Sequence, residues 1–598
     1  MKYTSLFRKK TFEQGIVTDD QNPNQGGGSD GFQKEVAHPT HTMKRVLTVR
    51  DLTFFGIAAI IGAGSFSSLG GAVFSGGPGV VFLFILTGIA CAFTAYCYAE
   101  FASRIPIAGS AYTYAYASFG ELFAWIIGWA LIMEYSIGNI YVAFSWSDYA
   151  TSLMHTLHID IPDYLTCSYL EASKAIKNGS SNKELLSAWQ TAPLLGNIRF
   201  IVDLPALLIN ILITLLVYVG TKESRNFSNA MVILKLLIVG LVISVGGYLI
   251  FSNGLTSNWT PVNSDGIKSF MPNGFGGVML AVSGVFFAYI GFDAVSVLAE
   301  ESKNPQRDLP RGMIYSLILC TVIYILLSLV LTGAVNYSKF DGVGDPLAFI
   351  FEPQNLNVGW MQLLVAVCAI IAMTSVLLVF QMGQPRIWMS MSRDGLMPKK
   401  FQKIHPKFKT PSYATIITGL VVGIPILFTD KTFVLDFTSI ATLFAFVLVC
   451  GGVLLLPRRE KVKGKFSMPY INGKYIFPIL ILIFLFGFYL INPTYFVDIS
   501  NFDFSNTSDY TSSKVTFMDL ATPKISHILF WCICLTLSVF AFIKNYSLIP
   551  LLGVSTCLYL LTGMSKSNWA WFLGWLALGL IVYFLYGYRN SVLAKKGT

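Results

Sequence analysis

The sequence predicts an all-α integral membrane protein. Two observations predict this class: the composition of the chain and the repeated occurrence of long apolar segments. Of the 598 residues, 54% are hydrophobic and 12% are charged, whereas soluble domains carry about 25% charged residues. A bilayer core about 30 Å thick requires about 20 mainly apolar residues per spanning helix. Segments of this kind follow one another along most of the chain.

Fourteen apolar segments have the length and composition of transmembrane helices. Their boundaries are defined to within a few residues. They cover residues 52–74, 79–103, 121–146, 201–220, 227–251, 275–299, 312–334, 359–385, 412–429, 433–456, 475–492, 525–543, 547–563 and 569–587.

The charge distribution predicts the orientation of these helices. The net charge of +10 arises from 42 Lys and Arg against 32 Asp and Glu. With the N terminus placed inside, most of the basic residues fall in the inner segments, which agrees with the positive-inside rule. We therefore expect both termini to be cytoplasmic and the protein to reside in the plasma or inner membrane. The basic balance indicates no nucleic-acid partner.

The sequence lacks the motifs of enzymes and primary pumps. Outside the polar N-terminal tail it contains no C-x-x-C pair, Walker loop or G-x-S-x-G elbow. The six histidines fall in tails, loops or helix edges, and the nine cysteines do not form a disulfide framework. We therefore expect no enzymatic activity, no cofactor and no metal site. Transport driven by an ion gradient is the function that remains.

The first and sixth apolar segments have glycine-rich interiors. The first contains the sequence GAG at residues 62–64, and the sixth has Gly284 and Gly291 on either side of residues 286–290. Close helix packing would explain either segment alone. Helices 1 and 6 hold corresponding places in two five-helix halves, however, and paired interrupted helices indicate a transporter's midplane binding site.

The chemistry of such breaks suits a zwitterionic ligand. An interrupted helix exposes backbone groups that lipid cannot satisfy, so these groups must line a cavity or meet a ligand. The N–H groups at a half-helix N terminus favour a carboxylate, and the freed carbonyl groups favour an ammonium group or a cation. Both poles of an α-amino acid are therefore accommodated without a charged side chain.

Three ionisable residues lie within the predicted spans: Glu134, Lys235 and Asp293. Burial of such groups in a membrane is costly, which makes a functional role the default hypothesis. Lys235 either extends to the inner surface or binds and releases a proton during transport. Glu134 is a proton partner, a substrate contact or a hydrogen-bonded structural acid. Asp293 follows the second break by one turn, where we expect it to cap exposed backbone.

Five long stretches carry a family resemblance. They are CYAEFASRIPIAGSAYTYAY (97–116), GWALIMEYSIG (128–138), VGTKESRNFSNAMVILKLLIV (219–239), FFAYIGFDAVSVLAEESKNPQRDLPRG (286–312) and GQPRIWMSMSRDGLMPKKFQKIHPKFKTP (383–411). Through them, residues 43–459 resemble the cationic amino acid transporter branch of the amino acid–polyamine–organocation (APC) superfamily. The predicted helix count also fits this branch over the C-terminal remainder.

The resemblance implies a LeuT-type fold, with a 5+5 inverted repeat, broken helices 1 and 6, and four peripheral helices. Residues 1–43 would form a disordered cytoplasmic tail and 44–251 the first repeat. Residues 252–456 would form the second repeat and 457–598 the peripheral helices 11–14. A cysteine in the large outer loop tethers an accessory subunit in some relatives. For Cys167 we instead expect an unpaired thiol and no accessory subunit.

The resemblance also implies how substrate binds. The substrate carboxylate would meet freed amides in helix 1, and its ammonium group would meet carbonyls in helices 1 and 6. The amides are those around Ala63, Gly64 and Ser65, and the carbonyls those around Ile61, Phe287 and Ile290. Lys235 matches the family lysine that replaces a sodium ion in sodium-coupled relatives, which implies proton coupling. Glu134 is a second candidate for proton coupling, and a sodium-coupled symporter is the rival mechanism.

Substrate choice depends on helix 8. Val376 and Leu377 would present an apolar wall to the substrate side chain, which favours neutral or broad specificity. The alternatives are a transporter or exchanger of arginine and lysine, with Glu134 as the side-chain contact, and an amino-acid receptor that does not transport. The partners expected are an amino acid, a proton and the lipid bilayer.

Overall fold

The computed structural model describes most of the chain. The described residues are 6, 8, 47–62, 64–105, 110–177, 183–196, 198–220, 225–263, 266–299, 302–408, 410–456, 466–491, 493–502 and 517–596. The predicted tail, residues 1–43, lies outside this set except for Leu6 and Arg8.

The described part of the chain is almost entirely helical, as the composition predicts. The helices are α1 (Val49–Ile60), α2 (Leu69–Gly76), α3 (Val80–Arg104), α4 (Ser110–Ser118), α5 (Glu121–Thr156), α6 (Tyr169–Lys177), α7 (Lys183–Thr191), α8 (Leu204–Val219), α9 (Arg225–Ser252), α10 (Gly274–Leu280), α11 (Val282–Phe287), α12 (Pro305–Ala334), α13 (Pro346–Phe349), α14 (Gly359–Arg393), α15 (Ser412–Ile426), α16 (Lys431–Leu455), α17 (Gly473–Ile491), α18 (Tyr495–Ser500), α19 (Phe517–Lys544), α20 (Leu548–Thr562), α21 (Lys566–Val582), α22 (Tyr588–Asn590) and α23 (Val592–Lys596). A short antiparallel hairpin pairs β1 (Leu194–Leu195) with β2 (Ile198–Arg199).

Many of these helices are suited to a bilayer. Among the described residues, nine helices or helical runs are long and apolar enough to cross a membrane, or ten if the bent pair 274–280 and 282–296 counts as one. Three further apolar helices, α8, α15 and α20, are shorter. The predicted class, an all-α integral membrane protein, is confirmed. The count of fourteen spans stays a prediction.

The helices pack around one continuous core. The core extends from α1 to α16 and reaches α20 and α21, and a second, smaller cluster joins α17, α19 and α20. Helix α5 packs along α14 and α16, and α12 packs along α3 and α1. Because lipid is as apolar as a leucine side chain, such packing depends on close contact between helices rather than on escape from water.

Helix α5 differs from its predicted extent. It continues to Thr156, beyond the predicted end at residue 146. The apolar pattern stops there, but the helix does not need it, since backbone hydrogen bonding continues through a more polar stretch. The hydroxyl of Thr151 adds a side-chain hydrogen bond, which it donates to the carbonyl oxygen of Ser147 at 2.9 Å. The extension places Asp148 and Ser152 on a helix that projects beyond the apolar span.

Candidate substrate and proton site at two helix breaks

The first break lies between α1 and a short π-helical turn. Helix α1 ends at Ile60, Ile61 has an extended backbone conformation, and the turn begins at Gly64. The carbonyl oxygen of Gly62 accepts the Ser65 N–H at 3.1 Å and the Ser65 hydroxyl at 3.0 Å. Ala63, a predicted carboxylate contact, lies outside the described residues.

The second break lies after α11. This helix ends at Phe287, and Gly291 adopts a φ of +117°, a conformation that favours glycine, before a 3₁₀ turn over Phe292–Leu298. The N–H of Ile290 donates to the carbonyl oxygen of Phe287 at 3.2 Å. Both carbonyl positions predicted to meet the substrate ammonium group in this helix therefore lie within the break.

The two breaks pack directly against each other. A Cβ atom placed on Gly64 would lie 2.5 Å from the Cα atom of Ala288, and one placed on Gly291 would lie 3.0 Å from the backbone of Ala59. These distances are too short for any side chain, because the opposing atoms belong to the backbone or to an alanine. Glycine is therefore required at both positions by close approach.

A tyrosine that the sequence analysis did not single out bridges the breaks. The hydroxyl of Tyr324, on α12, lies 2.9 Å from the carbonyl oxygen of Ile60 and 2.7 Å from that of Ala288. Each of these carbonyls belongs to a residue at the end of a helix, where carbonyl groups lack intrahelical partners. In an apolar segment a tyrosine counts as a hydrophobic residue, so the sequence does not indicate that its hydroxyl group has a role.

Lys235 directs its ammonium group to the first break. Its side chain is buried, with 1% of its surface exposed. The Nζ atom lies 3.3 Å from the carbonyl oxygens of Ala58 and Ile61 and 2.6 Å from the hydroxyl of Ser375. The side chain therefore points into the protein and does not extend to the inner surface. The C-terminal carbonyls of a helix attract a cation, so this position suits an ammonium group.

Glu134 interacts with Asp293, the acid that follows the second break. Both carboxyl groups are buried, and they interact electrostatically with each other. The carboxylate of Asp293 is hydrogen-bonded to backbone around the second break, including Gly291 and Ala294. Glu134 Oε2 has no hydrogen-bond partner among the described residues. The structure thus joins Glu134 to the second break and Lys235 to the first.

Of the two residues of the predicted apolar wall, the structure shows only Val376 against a break. Val376 and Leu377 are both buried on α14. Val376 lies against the first break, since a Cβ atom on Gly62 would lie 2.4 Å from its Cγ2 atom. For Leu377 the structure shows burial alone. On the other side of the breaks, the rings of Phe287 and Tyr141 are in edge contact, with centroids 4.5 Å apart.

Known proteins match this chain over most of its length. Residues 47–518 match the family model described as amino acid permease. The chain is 40% identical over 419 residues to the branched-chain amino acid permease BcaP of Bacillus subtilis (strain 168), which covers 70% of this chain and 82% of the relative. It is 34% identical over 559 residues to the methylthioribose transporter of the same organism, which covers 93% and 96%.

A plant relative shows a similar level of identity. The vacuolar cationic amino acid transporter 4 of Arabidopsis thaliana is 34% identical over 417 residues, covering 70% of this chain and 64% of that protein. The relatives are permeases and transporters rather than enzymes. With a family match over residues 47–518 and relatives of 40% and 34% identity, the chain belongs to the amino acid permease family of the APC superfamily.

Proposed function

We propose that the protein is a secondary active transporter that moves L-amino acids across the membrane by alternating access, coupled to proton symport. Family membership and the names of two relatives support an amino acid as the cargo. The observation that carries the proposed coupling is the position of Lys235, whose Nζ atom lies against the carbonyls that end α1.

The proposed architecture is the LeuT-type 5+5 inverted repeat. Residues 44–251 and 252–456 form the two repeats, and residues 457–598 form four peripheral helices, giving fourteen spans. The mutual packing of the breaks at Gly64 and Gly291 supports this arrangement, because a shared substrate site requires both breaks to meet. In this proposal both termini are cytoplasmic, as the basic inner segments favour, and the protein resides in the cell membrane.

The substrate would replace contacts that the first break makes with itself. The N–H of Ser65 donates to the carbonyl oxygen of Gly62 in this structure, so a substrate carboxylate would take over this N–H together with the amides of Ala63 and Gly64. The substrate ammonium group would bind the carbonyls of Ile61, Phe287 and Ile290. For the Ser65 N–H, the exchange replaces a neutral hydrogen bond by a charge-assisted one.

Coupling follows from a shared acceptor. The carbonyl oxygen of Ile61 accepts from Lys235 and is also a proposed acceptor for the substrate ammonium group. This carbonyl therefore joins the proposed proton-carrying lysine to the proposed substrate site, so that the state of one can affect the other. Glu134, whose Oε2 atom has no described partner, is a second proton-carrying group in this scheme.

The proposed cargo is a neutral amino acid with a small or branched apolar side chain. Val376 lies beside Gly62 in the first break, where we expect it to contact the side chain of a bound substrate. A relative is named for branched-chain amino acids, which agrees with an apolar wall. The second candidate is a cationic cargo, favoured by the buried, unpartnered oxygen of Glu134 and by a relative named as a cationic amino acid transporter.

Uptake by the purified protein in liposomes tests this function. We expect an inward proton gradient to drive accumulation of labelled alanine or leucine, and replacement of sodium by choline to have no effect. Unlabelled neutral amino acids should compete better than arginine. A requirement for sodium would make Lys235 structural, and stronger competition by arginine would establish the cationic alternative. Binding without any uptake would indicate a receptor.

A further inference from the structure

A second cluster of charged and polar groups covers the two breaks on the side of residues 157–200. Asp148, on the projecting part of α5, forms an ion pair with Lys431, the first residue of α16. The Nζ atom of Lys431 also lies 3.5 Å from the carbonyl oxygen of Gly344, in the segment between α12 and α14. The hydroxyl of Ser67 donates to the same carbonyl at 3.1 Å. Three separate elements therefore converge on the residues that follow the first break.

This cluster is in direct contact with the candidate site. The Nζ atom of Lys431 lies 5.6 Å from the centre of the Tyr141 ring, within cation–π range. Tyr141 contacts Phe287 at the second break, and its hydroxyl lies 3.4 Å from the hydroxyl of Ser67. A substrate approaching the breaks from this side would have to displace the ion pair.

Without its partner Asp148, Lys431 would occupy an electrostatically unfavourable position. A lysine at a helix N terminus faces the positive end of the helix dipole, so Asp148 rather than helix propensity accounts for its placement. The two side chains are 17% and 32% exposed. An ion pair that water still reaches is screened and contributes only modestly to stability. Such a pair is strong enough to bias a closed state and weak enough to open in every cycle.

The described part of segment 157–200 is docked beside this pair. It has a small core of its own, which includes Cys167 and Ala172. Lys174, on α6, forms an ion pair with Asp430, the residue before Lys431. Asp430 also caps α16 by accepting the Phe433 N–H at 2.9 Å. Asp430 and Lys431, neighbours at the start of α16, therefore bind two different elements. Asp430 binds α6 and Lys431 binds α5.

We infer that the Asp148–Lys431 ion pair is the outer gate of the substrate site, closed in this structure, and that its separation admits substrate from the side of segment 157–200. The segment itself remains docked on α16 through Lys174 and Asp430 while the gate opens. The inference rests on the proposed function for its direction of transport. It assigns gating roles to residues outside the apolar spans.

Cysteine cross-linking tests the gate. Of the nine cysteines, Cys532 is exposed and the others are buried, so C532S serves as the background. We expect a short thiol cross-linker to abolish uptake by the D148C/K431C variant, and reduction to restore it. In the matched pair K174C/D430C, cross-linking should leave uptake unchanged. Continued uptake by cross-linked D148C/K431C would overturn the gate, and loss of uptake in the matched pair would overturn the static docking.

A second measurement is independent of the cargo. Ser67→Cys places a thiol directly beneath the gate, and an impermeant thiol reagent reports its accessibility from outside. We expect Asp148→Asn to increase the labelling rate by about threefold or more, as loss of a weak closing interaction predicts. Unchanged labelling would refute the gate even if the protein transports amino acids. Faster labelling in a protein that transports none would refute the proposed function while retaining the gate.

Discussion

Lys235 and Lys431 lie on two sides of the first helix break, and the structure holds them in opposite ways. Lys235 is buried and donates to carbonyls at the C-terminal end of α1 and to Ser375. Lys431 lies at the N-terminal end of α16 and pairs with the carboxylate of Asp148. A helix C terminus attracts a cation and an N terminus repels one. The end of α1 therefore favours the positive charge of Lys235, whereas the charge of Lys431 is favoured only by its partner Asp148.

This difference indicates what each lysine can do. A neutral amine keeps two of the three N–H groups of an ammonium ion, so Lys235 can keep hydrogen bonds to two of its three oxygen partners after it loses its proton. A carboxylate ion pair requires the positive charge. We therefore assign proton exchange to Lys235 and mechanical closure to Lys431, as hypotheses that the following experiments separate.

The largest effect is expected from Lys235→Ala. This change should abolish proton-driven accumulation, because the group that binds and releases the proton is lost. Lys235→Arg should bind substrate but turn over poorly, since arginine stays protonated. Uptake into liposomes and ligand-induced thermal stabilisation measure the two properties. Lys431→Ala is the matched variant and should retain proton-driven accumulation. Wild-type accumulation by Lys235→Ala would make this lysine purely structural.

The second effect concerns the close approach of the breaks. Gly64→Ala places a Cβ atom 2.5 Å from the Cα atom of Ala288, and the backbone there has no freedom to move away. We expect substrate-induced stabilisation to disappear and thermal stability to fall, since overpacking costs about 1–3 kcal/mol. Gly71→Ala, where nothing lies within 4 Å, should behave as wild type. Unchanged affinity in Gly64→Ala would show that substrate does not bind at helix 1.

A smaller effect is expected for substrate selectivity. Val376→Ser opens space and adds a hydroxyl beside the first break, so the preference for alanine over arginine should narrow by about tenfold, the lower end of what one pocket methylene contributes. Competition against labelled alanine measures this ratio. Leu363→Ser, at a position 39% exposed on the same helix, is the control. An unchanged ratio would remove Val376 from the pocket.

The smallest effect is expected on the pH dependence of stability, through Asp345, a residue near the proposed gate. Burial and the nearby charge of Glu352 raise the pKa of Asp345 to about 7, while a hydrogen bond from Ser152 opposes the shift. The folded state therefore binds more protons than the unfolded state from about pH 4 to 7, and stability falls as pH rises through this window. When the pH is raised from 5 to 8, the melting temperature of Asp345→Asn should fall by about 1–2 °C less than that of the wild type. An identical pH profile would contradict this assignment.

Much of the fold and part of the site could be predicted from the sequence. Each predicted span overlaps a helix, because the length and polarity that a bilayer demands are local properties of a segment. Interruptions were also predicted in the first and sixth segments, from their glycine-rich interiors at corresponding places in two five-helix halves. The end of α5 at Thr156 was not predicted, because apolar patterning carries no information beyond the membrane. Asp148 and Ser152 were missed for the same reason.

By itself the sequence determined a helical membrane protein of the APC superfamily, because composition and motif order are properties of the chain. It also located the glycine-rich interiors of the first and sixth segments and placed Lys235 within a span. Only the tertiary structure decided which oxygens Lys235 contacts, that Tyr324 bridges both breaks, and that Asp148 meets Lys431. These partners are far apart in sequence; Asp148 and Lys431 are separated by 283 positions. Their meeting depends on how helices rotate and cross, which packing of the whole protein decides.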